Sequence, residues 1–145
     1  MQIGHIGLNV SDLNRSITFY TEVLGLKLRT LSEEPGKRFA YLGDDTKNTV
    51  TLWEQSEGTF SKRTPGLHHL AFEADSAEAV KSYEEKLKAY GASFIYEGLV
   101  VHREGGDSGG IFFEDPDGIR VEIYTAQGVS GHDHSSANGS ACGFF

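Results

Sequence analysis

His5, His69 and Glu122 are three metal-competent side chains, each on the non-apolar face of a separate predicted strand. Two neutral imidazoles and one carboxylate are the ligands of a facial 2-His-1-carboxylate site, which leaves coordination positions open for a small molecule. Taken singly, none is diagnostic: a strand histidine is usually a satisfied structural group and a Glu after a turn is usually solvated. Their weight comes from coincidence. Both histidines begin the same local pattern, and Glu122 lies on the same side of its strand as they do on theirs.

The elements that must position these groups repeat along the chain. Residues Ile3 to Val10 alternate as a half-buried strand, with Ile6, Leu8 and Val10 opposite His5, Gly7 and Asn9. A helix follows, capped by Ser11 or Asp12, with Leu13, Ile17, Tyr20 and Leu24 on one stripe and Gly25 at its end. Strands are expected near Lys27 to Leu31, Arg38 to Gly43 and Thr49 to Glu54. The second copy begins at Leu67 to Ala74, where Asp75 and Glu78 read as a capping box and Val80, Tyr83 and Leu87 as the stripe of a helix stopped by Gly91. Strands near Ser93 to Glu97, Leu99 to His102 and Gly110 to Glu114 lead through Asp115-Pro116-Asp117-Gly118 into Ile119 to Tyr124.

His5-Ile-Gly-Leu matches His69-Leu-Ala-Phe at an offset of 69 − 5 = 64, so the halves read as duplicated strand-helix-three-strand modules, about 1–57 and 65–125. The expected class is α+β: two paired βαβββ modules in an open, barrel-like mixed sheet, helices outside and polar strand faces lining a cleft. Residues 126–145 change character to a Gly/Ser/His-rich tail.

Alternation favours His69 over His68 as the cleft residue, leaving His68 as a packing group or a hydrogen-bond donor to the ligands. Aligning Thr49-Val-Thr-Leu-Trp with Ile119-Arg-Val-Glu-Ile places Leu52 opposite Glu122, where leucine cannot bind a cation, while Glu54 shares its parity. Tyr124 and Arg120 flank Glu122 on its face. One of them can orient substrate or donate a proton while the other pairs with a carboxylate. His102, His132 and His134 read as solvated surface groups, and Trp53 and Phe39 as core or cavity lining.

Composition bounds the rest. Thirteen basic against 21 acidic side chains give a net charge of −8, which disfavours nucleic acid and anionic membranes as partners. The single cysteine, Cys142, has no internal disulfide partner, and the chain enters a strand pattern from Met1 without a signal segment. No apolar run reaches bilayer-spanning length, so a cytoplasmic location is expected.

The segments His5-Ile-Gly-Leu-Asn-Val-Ser-Asp-Leu, Phe19-Tyr20, Leu24-Gly25-Leu26, His69-Leu-Ala-Phe and Phe112-Phe113-Glu-Asp-Pro-Asp-Gly-Ile-Arg-Val-Glu122 together resemble the vicinal oxygen chelate superfamily of glyoxalases, fosfomycin resistance proteins, extradiol dioxygenases and bleomycin-binding proteins. The resemblance spans about Gly4 to Tyr124. It implies a paired βαβββ fold, commonly homodimeric, around one divalent metal (Fe, Mn, Zn, Ni or Co), with His5, His69 and Glu122 as its ligands. It implies bidentate chelation of a small oxygen-rich substrate by a lyase, isomerase or dioxygenase. Glyoxalase I enzymes carry a further glutamate where Leu52 is aligned, and extradiol enzymes carry a middle-strand histidine and a pre-turn tyrosine where this chain has Phe112 or Phe113. Arg103-Glu-Gly-Gly-Asp-Ser108 is similar to a fosfomycin thiol transferase stretch, with one extra glycine. The run Gly105 to Gly110 reads as a loop over the cleft or as a hairpin turn. A non-catalytic sequestration protein and a thiol-transferring resistance enzyme are the alternative functions.

Overall fold

A computed structural model describes residues 1–130, in two units, Met1–Ser61 and the described residues from Lys62 onward. His132, His134 and the end at Cys142-Gly-Phe-Phe145 lie outside the described residues.

In the first unit, the alternation that begins the chain becomes β1 (Ile6–Val10), with Leu8 and Val10 buried and Gly7 and Asn9 exposed. Asp12 then caps α1 (Leu13–Thr18), its carboxylate accepting from Arg15 N–H at 3.0 Å and satisfying one orphan donor of the first turn. The helix continues through a wider turn, Phe19–Val23, of π-helical geometry. Widening changes which residues share a face. Ile17 is only half-buried, and Ser16, Phe19 and Val23 join Leu13, Tyr20 and Leu24 in the core. Gly25 supplies the left-handed exit at φ 77. Strands β2 (Lys27–Ser32), β3 (Phe39–Gly43) and β4 (Asn48–Glu54) complete a sheet of order β1-β4-β3-β2 in which β1 and β4 run parallel.

The second unit repeats this order. Strand β5 (Leu70–Glu73) leads to α2 (Ala77–Tyr90), followed by β6 (Val100–Val101), β7 (Gly109–Glu114) and β8 (Arg120–Thr125), with sheet order β5-β8-β7-β6 and β5 parallel to β8. The fold is α+β, with two helices and two four-stranded mixed sheets. Ser76, not Asp75, caps α2: its hydroxyl accepts from Ala79 N–H at 3.1 Å. Val80 and Leu87 are buried as the stripe requires, and Ala77 joins them, while Tyr83 is half-buried.

The strand expected over Ser93 to Glu97 does not form. Only Phe94 bridges to Phe113, with Ile95 N–H donating to Phe112 O and Glu114 N–H to Ser93 O. Gly98, at φ 71, then turns the chain away before a ladder can extend. The run Gly105 to Gly110 closes the β6–β7 hairpin and opens β7: His102 N–H donates to Ser108 O at 3.0 Å and Gly106 N–H to Arg103 O at 2.8 Å.

The start of β8 is held by Asp115. This buried carboxylate accepts from the N–H groups of Asp117 and Ile119, both at 2.9 Å, and Gly118 completes the turn at φ 80. An Asx-type turn of this kind sets where the strand enters its ladder, and hence which residue stands three positions beyond Ile119. That residue is Glu122.

Candidate metal-binding site

Residue 122 is a charged side chain on a strand whose neighbours Val121 and Ile123 fill the core. It is 6% exposed, opposite Ala71 of β5 and Phe112 of β7. A carboxylate so withdrawn from water is costly unless both oxygens find partners. They do: Oε2 lies 3.5 Å from His69 Nε2, and Oε1 lies 2.5 Å from His102 Nε2.

His69 is fixed from the other side of its ring. Its Nδ1 stands 2.8 Å from His68 Nδ1, and His68 Nε2 stands 3.2 Å from Arg120 Nη1. A guanidinium only donates, so His68 Nε2 accepts, and a neutral His68 then donates from Nδ1 to His69 Nδ1. The neutral His69 ring in turn holds its proton on Nε2, facing Glu122, where a bound cation would take that proton's place and the proton would move to Nδ1. The chain Arg120 to His68 to His69 thereby directs Nε2 of His69 at Glu122. Burial pushes the His69 imidazole below its ordinary 6.5, with Glu122 pulling the other way and His68, Arg120 and His102 adding to the depression. It is neutral at pH 7, the form that binds metals.

The 3.5 Å between His69 Nε2 and Glu122 Oε2 falls in the range that two ligands of one ion would show, because bonds of about 2.1 Å in tetrahedral or octahedral geometry set ligand atoms roughly 3.0–3.5 Å apart. A buried carboxylate and a neutral imidazole at that spacing fit a divalent cation. Among the described residues no group of three or more His, Cys, Asp or Glu side chains is arranged to hold a metal ion. The structure thus brings together His69 and Glu122.

His5 lies in the first unit, exposed, immediately before β1, as His69 lies immediately before β5. His68 is exposed and not a packing residue: β5 starts only at Leu70, so the alternation that would turn it inward is not yet in force. Tyr124, half-buried, donates its hydroxyl to Glu73 Oε2 at 3.3 Å, and burial together with Glu73 raises its pKa, which keeps the phenol protonated. Arg120 meets His68 as described.

Two registers alter the sequence alignment. Glu122 pairs with Ala71, and the residue that pairs with the equivalent Gly7 is Thr51, not Leu52. Leu52 pairs with Leu8 and is fully buried on the helix side, so the position corresponding to Glu122 carries a hydroxyl. Thr51 is 3% exposed, and its Oγ1 accepts from Trp53 Nε1 at 3.1 Å. Glu54 is engaged within its own unit: Oε2 accepts from Leu13 N–H at 2.7 Å, at the start of α1, and Oε1 from Arg38 at 3.0 Å.

His102 is the residue that sequence reasoning left on the surface. It is half-buried between Phe112 and Tyr124, with ring centroids at 6.2 and 5.7 Å, and it touches Glu122. The only sequence signal is its place beside a glycine-rich hairpin, whose register decides where the imidazole points.

Residues 2–123 match the family model of the Glyoxalase/Bleomycin resistance protein/Dioxygenase superfamily, and the chain belongs to that superfamily. It is similar to the lactoylglutathione lyase of Salmonella typhimurium, 33% identical over 132 residues that span 88% of this chain and 94% of that protein. Among solved structures it resembles the glyoxylase/bleomycin resistance protein/dioxygenase domain from Frankia sp. EAN1pec, at 26% identity and a TM-score of 0.72 over 86% of this chain and 97% of that one. It shares its fold with a fosfomycin resistance protein from Listeria monocytogenes, solved with Mn(II) and a sulfate ion, at 22% identity and a TM-score of 0.65 over 86% and 91% of the two chains. No helix among the described residues is long and apolar enough to cross a membrane.

Proposed function

We propose that this protein is a divalent-metal-dependent enzyme that chelates a small oxygen-rich substrate through two of its oxygens and carries out lyase, isomerase or dioxygenase chemistry. The observation that carries this reading is the His69–Glu122 pair, a neutral imidazole just before β5 and a buried carboxylate on the adjacent β8 at ligand spacing. His5 is the third ligand in this proposal, supported by its place before β1, equivalent to that of His69 before β5. When bound, the cation supplies Lewis-acid stabilisation of negative charge developing on a chelated oxygen.

The chain's own residues have separable tasks. His69 and Glu122 hold the cation, and His68 and Arg120 orient His69. Tyr124, kept protonated by burial and by Glu73, positions substrate through its hydroxyl. The similarity to lactoylglutathione lyase favours the lyase and isomerase branch. With Thr51 at the position corresponding to Glu122, the proposed ligand set is His5, His69 and Glu122, without a second carboxylate. A homodimer is part of the same proposal and is checked by sedimentation.

The test is elemental analysis of protein purified without added metal, followed by activity assays with iron(II), manganese, zinc, nickel and cobalt. Stoichiometric metal that is lost in His5→Ala, His69→Ala and Glu122→Gln is expected. Metal content unchanged in all three would sink the reading. Oxygen uptake with iron assigns a dioxygenase, and turnover with nickel or zinc without oxygen uptake assigns a lyase or isomerase.

One observation favours a second reading. Phe39, Tyr41 and Trp53 form a half-buried aromatic cluster, centroids 5.0 to 6.2 Å apart, on the β3–β4 face shared with Thr51. Such a surface stacks aromatic ligands, as sequestration without turnover requires. Ligand binding that survives His69→Ala and Glu122→Gln but fails in Trp53→Ala would establish it.

A further inference from the structure

Glu122 has one oxygen toward His69 and the other against His102, and the two contacts differ in kind. At 2.5 Å, His102 Nε2 and Glu122 Oε1 are too close to be two ligands of one ion, whose separation is roughly 3 Å or more. They are hydrogen-bond partners instead. The far side of the same ring is also anchored: His102 Nδ1 lies 2.8 Å from Ser108 Oγ, which donates its single hydrogen to Thr125 O at 3.0 Å and therefore accepts from Nδ1. The peptide N–H of His102 is bonded to Ser108 O across the hairpin, so backbone and side chain are tied to the same residue.

We propose that His102 is a positioning residue, which holds the Glu122 carboxylate so that Oε2 is presented to His69 and to the cation they share. This rests on the metal-binding function proposed above. A carboxylate free to rotate about its last bond loses entropy when it binds an ion. One whose second oxygen is already occupied has lost that freedom in the fold. The rings of Phe112 and Tyr124 flank His102 and limit its own rotation, and Ser108 carries the restraint to β8 through Thr125. The β6–β7 hairpin, with no ligand of its own, thereby sets the geometry of a ligand on β8.

The experiment is cobalt(II) titration of the purified full chain, followed by the visible absorption of bound cobalt and by chelator competition, on the wild type and on His102→Ala, His102→Gln and Ser108→Ala. Circular dichroism and thermal melting identify the folded variants. His102→Ala is expected to weaken cobalt binding 10- to 100-fold and to shift the absorption bands, as loss of an outer partner of a ligand does. His102→Gln, whose side-chain amide reaches the same distance with a donor N–H, is expected to bind within about 3-fold of the wild type. Ser108→Ala is expected to lie between them, and it carries the test with His102→Gln if His102→Ala does not fold.

Affinities in His102→Ala and Ser108→Ala equal to that of the wild type would overturn the proposal while leaving the metal site standing. A loss in His102→Gln as large as in His102→Ala would also overturn it, because the imidazole itself would then be a ligand. A wild type that binds no cobalt would overturn the metal-binding function first, and this inference with it.

Discussion

His69 Nε2 and Glu122 Oε2 stand 3.5 Å apart although 52 residues separate them in the chain, because β5 and β8 run parallel with Ala71 opposite Glu122. The spacing depends on a charged oxygen at residue 122. Glu122→Gln keeps the shape and the hydrogen-bonding reach of the side chain but replaces the anion. It is expected to lower affinity for cobalt or manganese by at least about 100-fold while the protein stays folded. Chelator competition and circular dichroism check both halves of that statement.

Neutral His69 ties stability to pH. Its folded pKa lies below the ordinary 6.5, so between those two values the unfolded chain binds more protons and stability rises with pH. Lowering pH from 7 through 6.5 is therefore expected to destabilise the wild type more than His69→Gln, a difference read from urea midpoints at pH 7.5 and 5.5. Equal pH dependence in the two proteins would contradict it.

Two carboxylates act with the same sign at lower pH. Asp44 is held down to about 2 by the hydroxyl and N–H of Thr46 and the N–H of Lys47, and Asp107 to about 2 by hydrogen bonds from Gly128, Ser130 and Val129. The stability each contributes is present above the ordinary value of 3.8 and is lost as pH falls toward 2. Asp107→Asn should remove part of the transition between pH 4 and 2 in a melting series, and Asp44→Asn another part.

Gly110 faces Tyr124 across the β7–β8 ladder. A Cβ there would stand 2.5 Å from Ile123 O and 2.9 Å from Tyr124 Cα, and backbone atoms cannot move aside cheaply. Gly110→Ala is expected to cost about 2 kcal/mol, seen as a fall in melting temperature of roughly 4–8 °C. A melting temperature within about 1 °C of the wild type would refute the close packing of this strand pair.

Glu54 and Thr51 separate structural from ligand roles in the first unit. Glu54→Ala frees the Leu13 N–H at the start of α1 and unpairs Arg38, and it is expected to cost about 1–2 kcal/mol without altering metal content. Thr51→Val removes the acceptor of the Trp53 indole N–H and is expected to cost about 1 kcal/mol, again with metal content unchanged. Loss of metal in either variant would make that residue a ligand.

Much of the fold was legible because its signals are local. The alternation of β1, the Asp12 cap of α1, the glycine stops of the helices and the Asp115 to Gly118 turn all act within a few residues, and the 64-residue repeat exposed the duplication that they build. Errors arose where the outcome depended on a distant partner. Counting strand residues aligns Leu52 with Glu122, but a one-residue difference in ladder register substitutes Thr51 and exchanges the two faces of the strand. Nothing beside His102 in the chain requires its burial, so local sequence places it in solvent. The β6–β7 hairpin turns it onto a carboxylate twenty residues away.

The amino-acid order by itself determined which side chains can bind a cation and the strand face that carries Glu122, since residue chemistry and the two-residue period of a strand are properties of the chain alone. Tertiary structure decided the pairing of His69 with Glu122, the bond from His102, and the engagement of Glu54 at the head of α1. Each of these rests on register and hairpin geometry, where a shift of a single residue carries a side chain to the opposite face.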